Sequence, residues 1–176
     1  KPRFSRGSLR ALQPLECAWL NQGDLGQLTA AEACGLPLAL SGIRLQSALY
    51  LNELLVRLLH RHDPHPLLFD AYARLLVQLP ESADALGFQL RCFEALLLSE
   101  LGYGIEFTFD SAAQAPVDPC GRYRALPEHG VIGVHDLEVD TISGAALLAL
   151  QAGQQPDAVG LRELRRMMRA LLLHHL

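Results

Sequence analysis

The chain has 176 residues, half of them hydrophobic, so it can form one or two small domains with a buried core, and a disordered protein is excluded. Only 6% of the residues are aromatic and leucine is the most frequent residue, which favours packed helices over a β-sandwich. No apolar run is long enough to cross a membrane and no signal peptide is recognisable, so we expect a soluble cytosolic protein. The first residue is Lys1 rather than Met, which indicates a fragment.

The formal net charge of −4 argues against a nucleic-acid-binding protein, but the charges are segregated along the chain. The start of the chain contains four basic residues and no acid, namely Lys1, Arg3, Arg6 and Arg10. The end of the chain contains one acid, Glu163, among four arginines, namely Arg162, Arg165, Arg166 and Arg169. Basic ends on an acidic body can mark contact with a polyanion; the alternative is that the charged ends are merely solvated.

The first predicted elements are short strands within residues 12–33. Their apolar residues surround a proline suited to an edge strand, and Asn-Gln-Gly-Asp marks a turn between them. Two or three strands do not make a stable sheet alone, so this segment is expected to belong to a β domain. Leucines then recur at helical spacing, which predicts a first helix between Gly42 and Asp63.

The rest of the chain alternates helical segments with proline- and glycine-rich breaks. Pro66 suits the first turn of a second helix, and Leu-Gly-Tyr-Gly at 101–104 ends a third. The remaining predicted elements are helices over 66–79 and 83–101, short strands over 121–126 and 130–134, and helices over 144–152 and from 158 to the end. The prediction is therefore a mainly α protein with a small α+β region at its C-terminal end.

The chain contains no motif that predicts catalysis or metal binding. Its four cysteines form no Cys-x-x-Cys pair, and we expect Cys17 and Cys34 to be buried thiols. Of two groups of histidines and acids, the first spans a helix end and a proline, where its side chains face different ways, namely His60, His62, Asp63 and His65. The second is interpreted as a solvated strand face rather than a weak cation site, namely His135, Asp136, Glu138 and Asp140. Phosphate-binding loops and the motifs of hydrolases and metalloproteases are absent from the sequence, so we expect neither an enzyme nor a cofactor.

Two helical faces are candidates for binding. The last helix is amphipathic, with leucines and Met168 opposite its four arginines, and guanidinium groups suit phosphate or carboxylate. The third helix has a second face of small, apolar and charged residues, namely Gly87, Arg91, Glu94, Ala95 and Leu98. That face could bind a peptide that ends in a carboxylate beside an apolar side chain, or it could be a second packing surface.

Three runs of the sequence resemble the RecO family of bacterial recombination mediators. They are LALSGIRLQSALYLNELLVRLL at 38–59, LRCFEALLLSELGYG at 90–104 and APVD at 115–118. The resemblance implies that residues 1–34 are the later strands of an N-terminal OB-fold whose start is missing. It further implies a helical domain of three helices at 35–104 and a C-terminal region at 105–176 with two short strands and two helices.

The resemblance also implies a function in DNA repair and homologous recombination, in the cytoplasm with the nucleoid. Members of the family bind single- and double-stranded DNA, anneal strands, engage the acidic tail of the single-stranded-DNA-binding protein, and act with RecR to load RecA. It implies that Lys1, Arg3, Phe4, Arg6 and Arg10 face DNA, and that Arg91 meets the tail's carboxylates while Leu98, Gly87 and Ala95 take its terminal Phe. The arginines of the last helix could serve either ligand. The alternative is a helical interaction scaffold that makes no DNA contact in this portion.

Overall fold

A computed structural model of the chain describes residues 9–22, 25–134 and 140–176. These residues form two compact units, Lys1–Ser41 and Gly42–Leu176, each of which is described by itself. Within the described residues there are five helices and seven strands. Helix predominates over strand in the second unit, but each of the two units also contains a sheet. The expectation of a mainly α protein is therefore met only in part.

The first unit is built on an antiparallel hairpin of β1 (Leu15–Gln22) and β2 (Leu25–Ala33). The pairing register shifts between Ala18 and Trp19, where the ladder carries an irregularity. Beyond the hairpin, the amide of Leu38 donates to the carbonyl of Leu12 at 3.0 Å. This bond ties the segment after the hairpin to the residues before it, and the compact unit ends at Ser41.

The expectation that Cys17 and Cys34 are buried thiols is wrong. Both side chains are exposed. A hairpin of two strands offers no second layer to cover its faces, so a cysteine at position 17 of β1 stays accessible within this unit.

The second unit contains all five helices. They are α1 (Gly42–Leu58), α2 (Pro66–Gln78), α3 (Ala83–Glu100), α4 (Gly144–Gln151) and α5 (Ala158–His175). Four of the five lie within a residue or so of the predicted spans, because prolines, glycines and N-caps set their ends. The first helix ends earlier than predicted, at Leu58, and His62 beyond it adopts a positive φ of 67°, so the helix does not resume before Asp63.

A five-stranded sheet lies between α3 and α4 in the sequence. Its strands are β3 (Phe109–Asp110), β4 (Ala115–Pro116), β5 (Arg122–Leu126), β6 (Gly130–Gly133) and β7 (Ile142–Ser143), in the order β4-β3-β6-β5-β7. Only β3 and β6 pair in parallel among these described strands. The two strands that the sequence predicts are β5 and β6; the other three have two residues each and carry no periodicity to detect.

The core of the second unit joins its helices to this sheet. Helix α3 packs against α1, α2 and α5, and α5 also packs against α4, β5 and β7. Aliphatic side chains fill the interior, and the largest fully buried ones include Leu51, Leu86, Leu97, Leu147, Leu164 and Met168. Helix α5 is therefore the element that connects the helical part of the unit to the sheet.

Candidate functional site

Helix α5 is positioned by a cap at its start and by its apolar face. The carboxylate of Asp157 accepts a hydrogen bond from the amide of Gly160 at 2.7 Å, which satisfies one of the free donors of the first turn. Leu164 and Met168 are fully buried, whereas the four arginines are exposed. The predicted amphipathic helix is therefore present, with its arginines available on the surface of the unit.

A buried carboxylate fastens α5 to the sheet. Glu163 accepts a hydrogen bond from the guanidinium of Arg122 at 2.7 Å and another from the amide of Ser143 at 3.0 Å. Arg122 also donates to the carbonyl of Thr141 at 2.9 Å. Burial acts to raise the pKa of Glu163, but these hydrogen bonds and the charge of Arg122 outweigh it and leave the pKa below its usual range.

A groove of about 700 Å³ runs between α1, α3 and α5. Each helix contributes apolar side chains, among them Ile43, Leu54, Leu90, Leu172, Leu173 and Leu176. Three of these apolar residues, Ile43, Leu173 and Leu176, remain more than half exposed to solvent. The groove thus presents uncovered apolar surface beside charged residues, which is the composition of a ligand site rather than of a closed core.

A buried ionic network forms part of the groove wall on α3. The guanidinium of Arg91 donates through Nε to Oε2 of Glu94 at 2.6 Å, and through Nη2 to Oε1 of the same carboxylate. The hydroxyl of Tyr50 on α1 donates to Oε1 of Glu94 at 2.6 Å. Glu94 is 1% exposed and Arg91 is 8% exposed. The predicted tail-binding arginine is therefore already engaged by a carboxylate of its own helix.

Burial perturbs the titration of this network. It raises the pKa of Glu94, with the opposing charge of Arg91 acting to lower it. Burial also raises the pKa of Tyr50, and the neighbouring Glu94 carboxylate raises it further. The Tyr50 hydroxyl therefore keeps its proton at neutral pH and serves as a donor to Glu94.

The four residues predicted to bind the tail do not share one pocket. Gly87 and Arg91 line the groove, but Leu98 is buried and lines a different cavity of about 180 Å³, next to Tyr103. Ala95 is half-buried and is not part of the groove lining. The four residues are therefore distributed between the groove, a second cavity and a position that lines neither.

The four arginines of α5 differ in the cavities that they line. Arg165 and Arg169 line the groove, together with Arg91. Arg166 lines a separate cavity of about 280 Å³ that also contains His174. Arg162 is exposed and lines neither of these two cavities. The sequence alone could not show which of these arginines line a cavity, whereas the packing of α5 does.

The predicted DNA-facing residues at the start of the chain fall mostly outside the described residues, namely Lys1, Arg3, Phe4 and Arg6. Arg10 is described and exposed.

Metal binding receives no geometric support from the part of the chain that the structure describes. No group of three or more His, Cys, Asp or Glu side chains there is placed to hold a metal ion. His65 lies 3.3 Å from a carboxylate oxygen of Asp63, in an ordinary polar contact. Of the second histidine and acid group, His135, Asp136 and Glu138 lie outside the described residues, and Asp140 is exposed.

None of the described helices combines the length and the apolar composition that crossing a membrane requires.

Known proteins are similar in sequence to this chain along nearly its whole length. Residues 40–176 match the sequence profile of the family described as "Recombination protein O C terminal". The DNA repair protein RecO of Xanthomonas campestris pv. campestris (strain B100) is 40% identical over 176 residues, which cover 97% of this chain and 72% of that protein. The DNA repair protein RecO of Coxiella burnetii (strain CbuG_Q212) is 40% identical over 173 residues, which cover 98% of this chain and 74% of that protein.

Proposed function

The chain belongs to the RecO family of bacterial DNA repair proteins, and from this premise we propose that its groove binds the acidic C-terminal tail of the single-stranded-DNA-binding protein. In this proposal the protein is an accessory factor of DNA repair and homologous recombination. It binds and anneals single- and double-stranded DNA, and acts with RecR to load RecA. It acts by binding rather than by catalysis, in the compartment that holds the bacterial DNA.

The observation that carries the tail proposal is the composition of the groove. Apolar side chains from three helices surround an opening that arginines border, and several of those apolar side chains are solvent-exposed. A tail that ends in Phe and carries acids would bury its aromatic ring against the apolar side chains and place its carboxylates near the arginines. Burying one large aromatic side chain contributes about 2–3 kcal/mol, and each hydrogen bond between a carboxylate and an arginine adds about 1.5–3 kcal/mol.

The DNA-binding part of the proposal depends on charge and on family membership. Arg10 is exposed in the first unit, and Arg162 and Arg166 are exposed on α5 without lining the groove. Sequence-independent contact with phosphates is expected from such residues, since each contact releases counterions from DNA. The expected signature is an affinity that falls steeply as salt rises.

The alternative is an interaction scaffold without DNA contact in this portion. The groove supports this alternative, because a peptide bound there would contact only residues of the second unit. Fluorescence anisotropy of a labelled single-stranded oligonucleotide, measured from low to moderate salt, separates the two functions. Binding that weakens with salt and is reduced in an Arg162→Glu/Arg166→Glu variant supports the DNA role; affinity unchanged by both supports the scaffold.

The test of the tail proposal is a titration of the chain with a fluorescein-labelled acidic peptide that ends in Phe. We expect saturable binding with Kd in the micromolar range. The matched control is the same peptide with its terminal Phe replaced by Ala, which should bind at least about tenfold more weakly, since it loses the aromatic burial. Absence of binding to a sample with a cooperative thermal transition would refute the tail proposal.

A further inference from the structure

We propose that the outer face of α1 and α2 is an interface between two copies of this chain, related by a twofold axis. In this pair, α2 of one copy lies antiparallel to α2 of the other. The proposal is independent of the groove, which α2 does not line. The outer face is defined by nine exposed residues, namely Leu49, Glu53, Val56 and Arg57 on α1 and Phe69, Asp70, Ala73, Arg74 and Val77 on α2.

Apolar side chains form a stripe along the exposed side of α2. Phe69, Ala73 and Val77 follow one another at intervals of four residues, a spacing that places them on one side of a helix. Phe69 is 67% exposed and Val77 is 66% exposed. The other side of the same helix is buried in the second unit through Leu68 and Leu75. A helix that is apolar on two sides is expected to be covered on both.

A hydrogen bond joins this stripe to apolar surface on α1. The hydroxyl of Tyr72 on α2 donates to Oδ1 of Asn52 on α1. Phe69 lies one turn before Tyr72, on the same side of α2. Val56 lies one turn after Asn52 and is 83% exposed. The uncovered apolar surface therefore continues from α2 onto α1, rather than consisting of scattered single side chains.

The charges of the outer face identify a second copy as the partner. Asp70 and Arg74 are exposed one turn apart beside the stripe, and α1 repeats this order with Glu53 and Arg57. Equal numbers of acids and bases give the face no net charge, so it does not select nucleic acid or a strongly charged peptide. An identical face in antiparallel orientation offers a base for each acid, because the same residues meet in reverse order.

The charged residues of α2 can bond across such an interface. Glu53 and Arg57 already form an ion pair of 2.7 Å within α1. Among the residues that the structure describes, neither Asp70 nor Arg74 has an oppositely charged group within ion-pair distance. This pair on α2 therefore gains its partners only when a second copy binds.

Antiparallel pairing of α2 with its copy suits both the stripe and the charges. With Ala73 at the twofold axis, Phe69 of one copy faces Val77 of the other, because each lies four residues from the axis. The small side chain of Ala73 allows the two helices to approach closely. Asp70 and Arg74 lie along one edge of the stripe, so the acid of each copy comes within reach of the base of the other.

Sedimentation equilibrium of the chain, from low micromolar to submillimolar concentrations, tests the proposal. Two short helices form a small interface, so we expect dissociation in the micromolar range. The mass should rise from that of one chain to that of two and stop there, since a twofold pair is closed. A mass that stays at one chain over the whole range, or that grows beyond two, overturns the proposal.

A matched pair of variants locates the interface, with circular dichroism melts to verify folding. Val77→Glu places an acid in the stripe and should raise the dissociation constant of the dimer at least about tenfold, because pairing would desolvate the new charge. Val159→Glu is the control, since Val159 is also more than half exposed but lies on α5. Its dissociation constant should stay within about twofold of the wild-type value. Equal effects of the two variants would show that another surface forms the dimer and would overturn the proposal.

A charge exchange tests the antiparallel geometry. Arg74→Asp leaves two acids along the edge of each copy, so the dimer should weaken at least about fivefold through repulsion. Asp70→Arg/Arg74→Asp restores one acid and one base in the reverse order, which pair across a twofold axis as before. Its affinity should return to within about threefold of the wild-type value. A folded double variant that dimerises no better than Arg74→Asp would overturn the assignment of these charges to the interface.

Discussion

Glu163→Gln tests whether the buried carboxylate fastens α5 to the sheet. In the wild-type chain Glu163 is 6% exposed and accepts hydrogen bonds from Arg122 and from the amide of Ser143. The glutamine keeps one carbonyl acceptor but loses the charge, so one of the two bonds is lost or weakened and Arg122 loses its counter-charge. Helix α5 should then be held less firmly against β5 and β7.

The expected loss follows from the burial of the pair. Removing one partner of a buried ion pair costs about 3–5 kcal/mol, and hydrogen bonds to charged groups contribute about 1.5–3 kcal/mol each. The Arg122 side chain is 29% exposed and keeps its bonds to Thr141, so the cost falls below that of breaking a fully buried pair. We expect a loss of about 2–3 kcal/mol, equivalent to a decrease in Tm of about 4–12 °C for a chain of this size.

The assay is urea denaturation at pH 7 followed by circular dichroism. Glu53→Gln is the matched control: Glu53 makes an ion pair of 2.7 Å with Arg57, but both side chains are more than half exposed. The same chemical change there should cost about 0.3–0.5 kcal/mol. Equal free energies of unfolding for the two variants would refute the argument that burial gives the Glu163 contact its strength.

The Glu163→Gln variant also tests how the stability of the chain depends on pH. Because the pKa of Glu163 is lowered in the folded state, its contribution to stability is complete above the ordinary glutamate pKa and is lost as the pH falls through the folded value. The wild-type chain should therefore lose its stability advantage over Glu163→Gln as the pH is lowered below about 4–5. A difference in free energy of unfolding that stays constant from pH 7 to pH 3 would contradict the assigned shift.

Two further predictions concern single positions in the second unit. Asp157→Ala removes the side-chain bond to the Gly160 amide and should lower the free energy of unfolding by about 1 kcal/mol in urea denaturation; no change would mean that water caps the helix equally well. Gly144→Ala should prevent stable folding, because a Cβ there would lie 2.0 Å from the carbonyl oxygen of Asp118, whereas Gly87→Ala meets nothing within 4 Å and should add up to about 1 kcal/mol through helix propensity. Melting curves of the two glycine variants that coincide would contradict this contrast.

Local signals were sufficient to predict the helices of the second unit. Pro66 at the start of α2, the Ser143 cap of α4 and the glycine after α3 are all visible in the sequence and correspond to real ends. The end of α1 at Leu58 was not predictable in this way, because neither a glycine nor a proline lies between Leu58 and Asp63. Strands of two residues, such as β7, have no alternation and depend on their neighbours in the sheet.

The candidate site could be predicted only in fragments. The sequence indicated an arginine face on α5 and Arg91 on α3, but single-sequence periodicity does not show which helices pack together. The groove depends on that packing, and so does the separation of Leu98 from Arg91. One signal was available and missed: Arg91 and Glu94 have opposite charges three residues apart, a spacing at which helical side chains pair.

The groove draws on residues from opposite ends of the second unit, and this has a consequence for synthesis. Ile43 and Leu176 line the same opening although the whole sheet lies between them in sequence. At translation rates of about 5–20 residues per second, α1 and α3 leave the ribosome several seconds before α5 does. Throughout that interval Leu172 and its neighbours have yet to be made, so the nascent chain exposes the apolar sides of α1 and α3 and has no complete groove. The groove is therefore completed in one late step, when α5 docks.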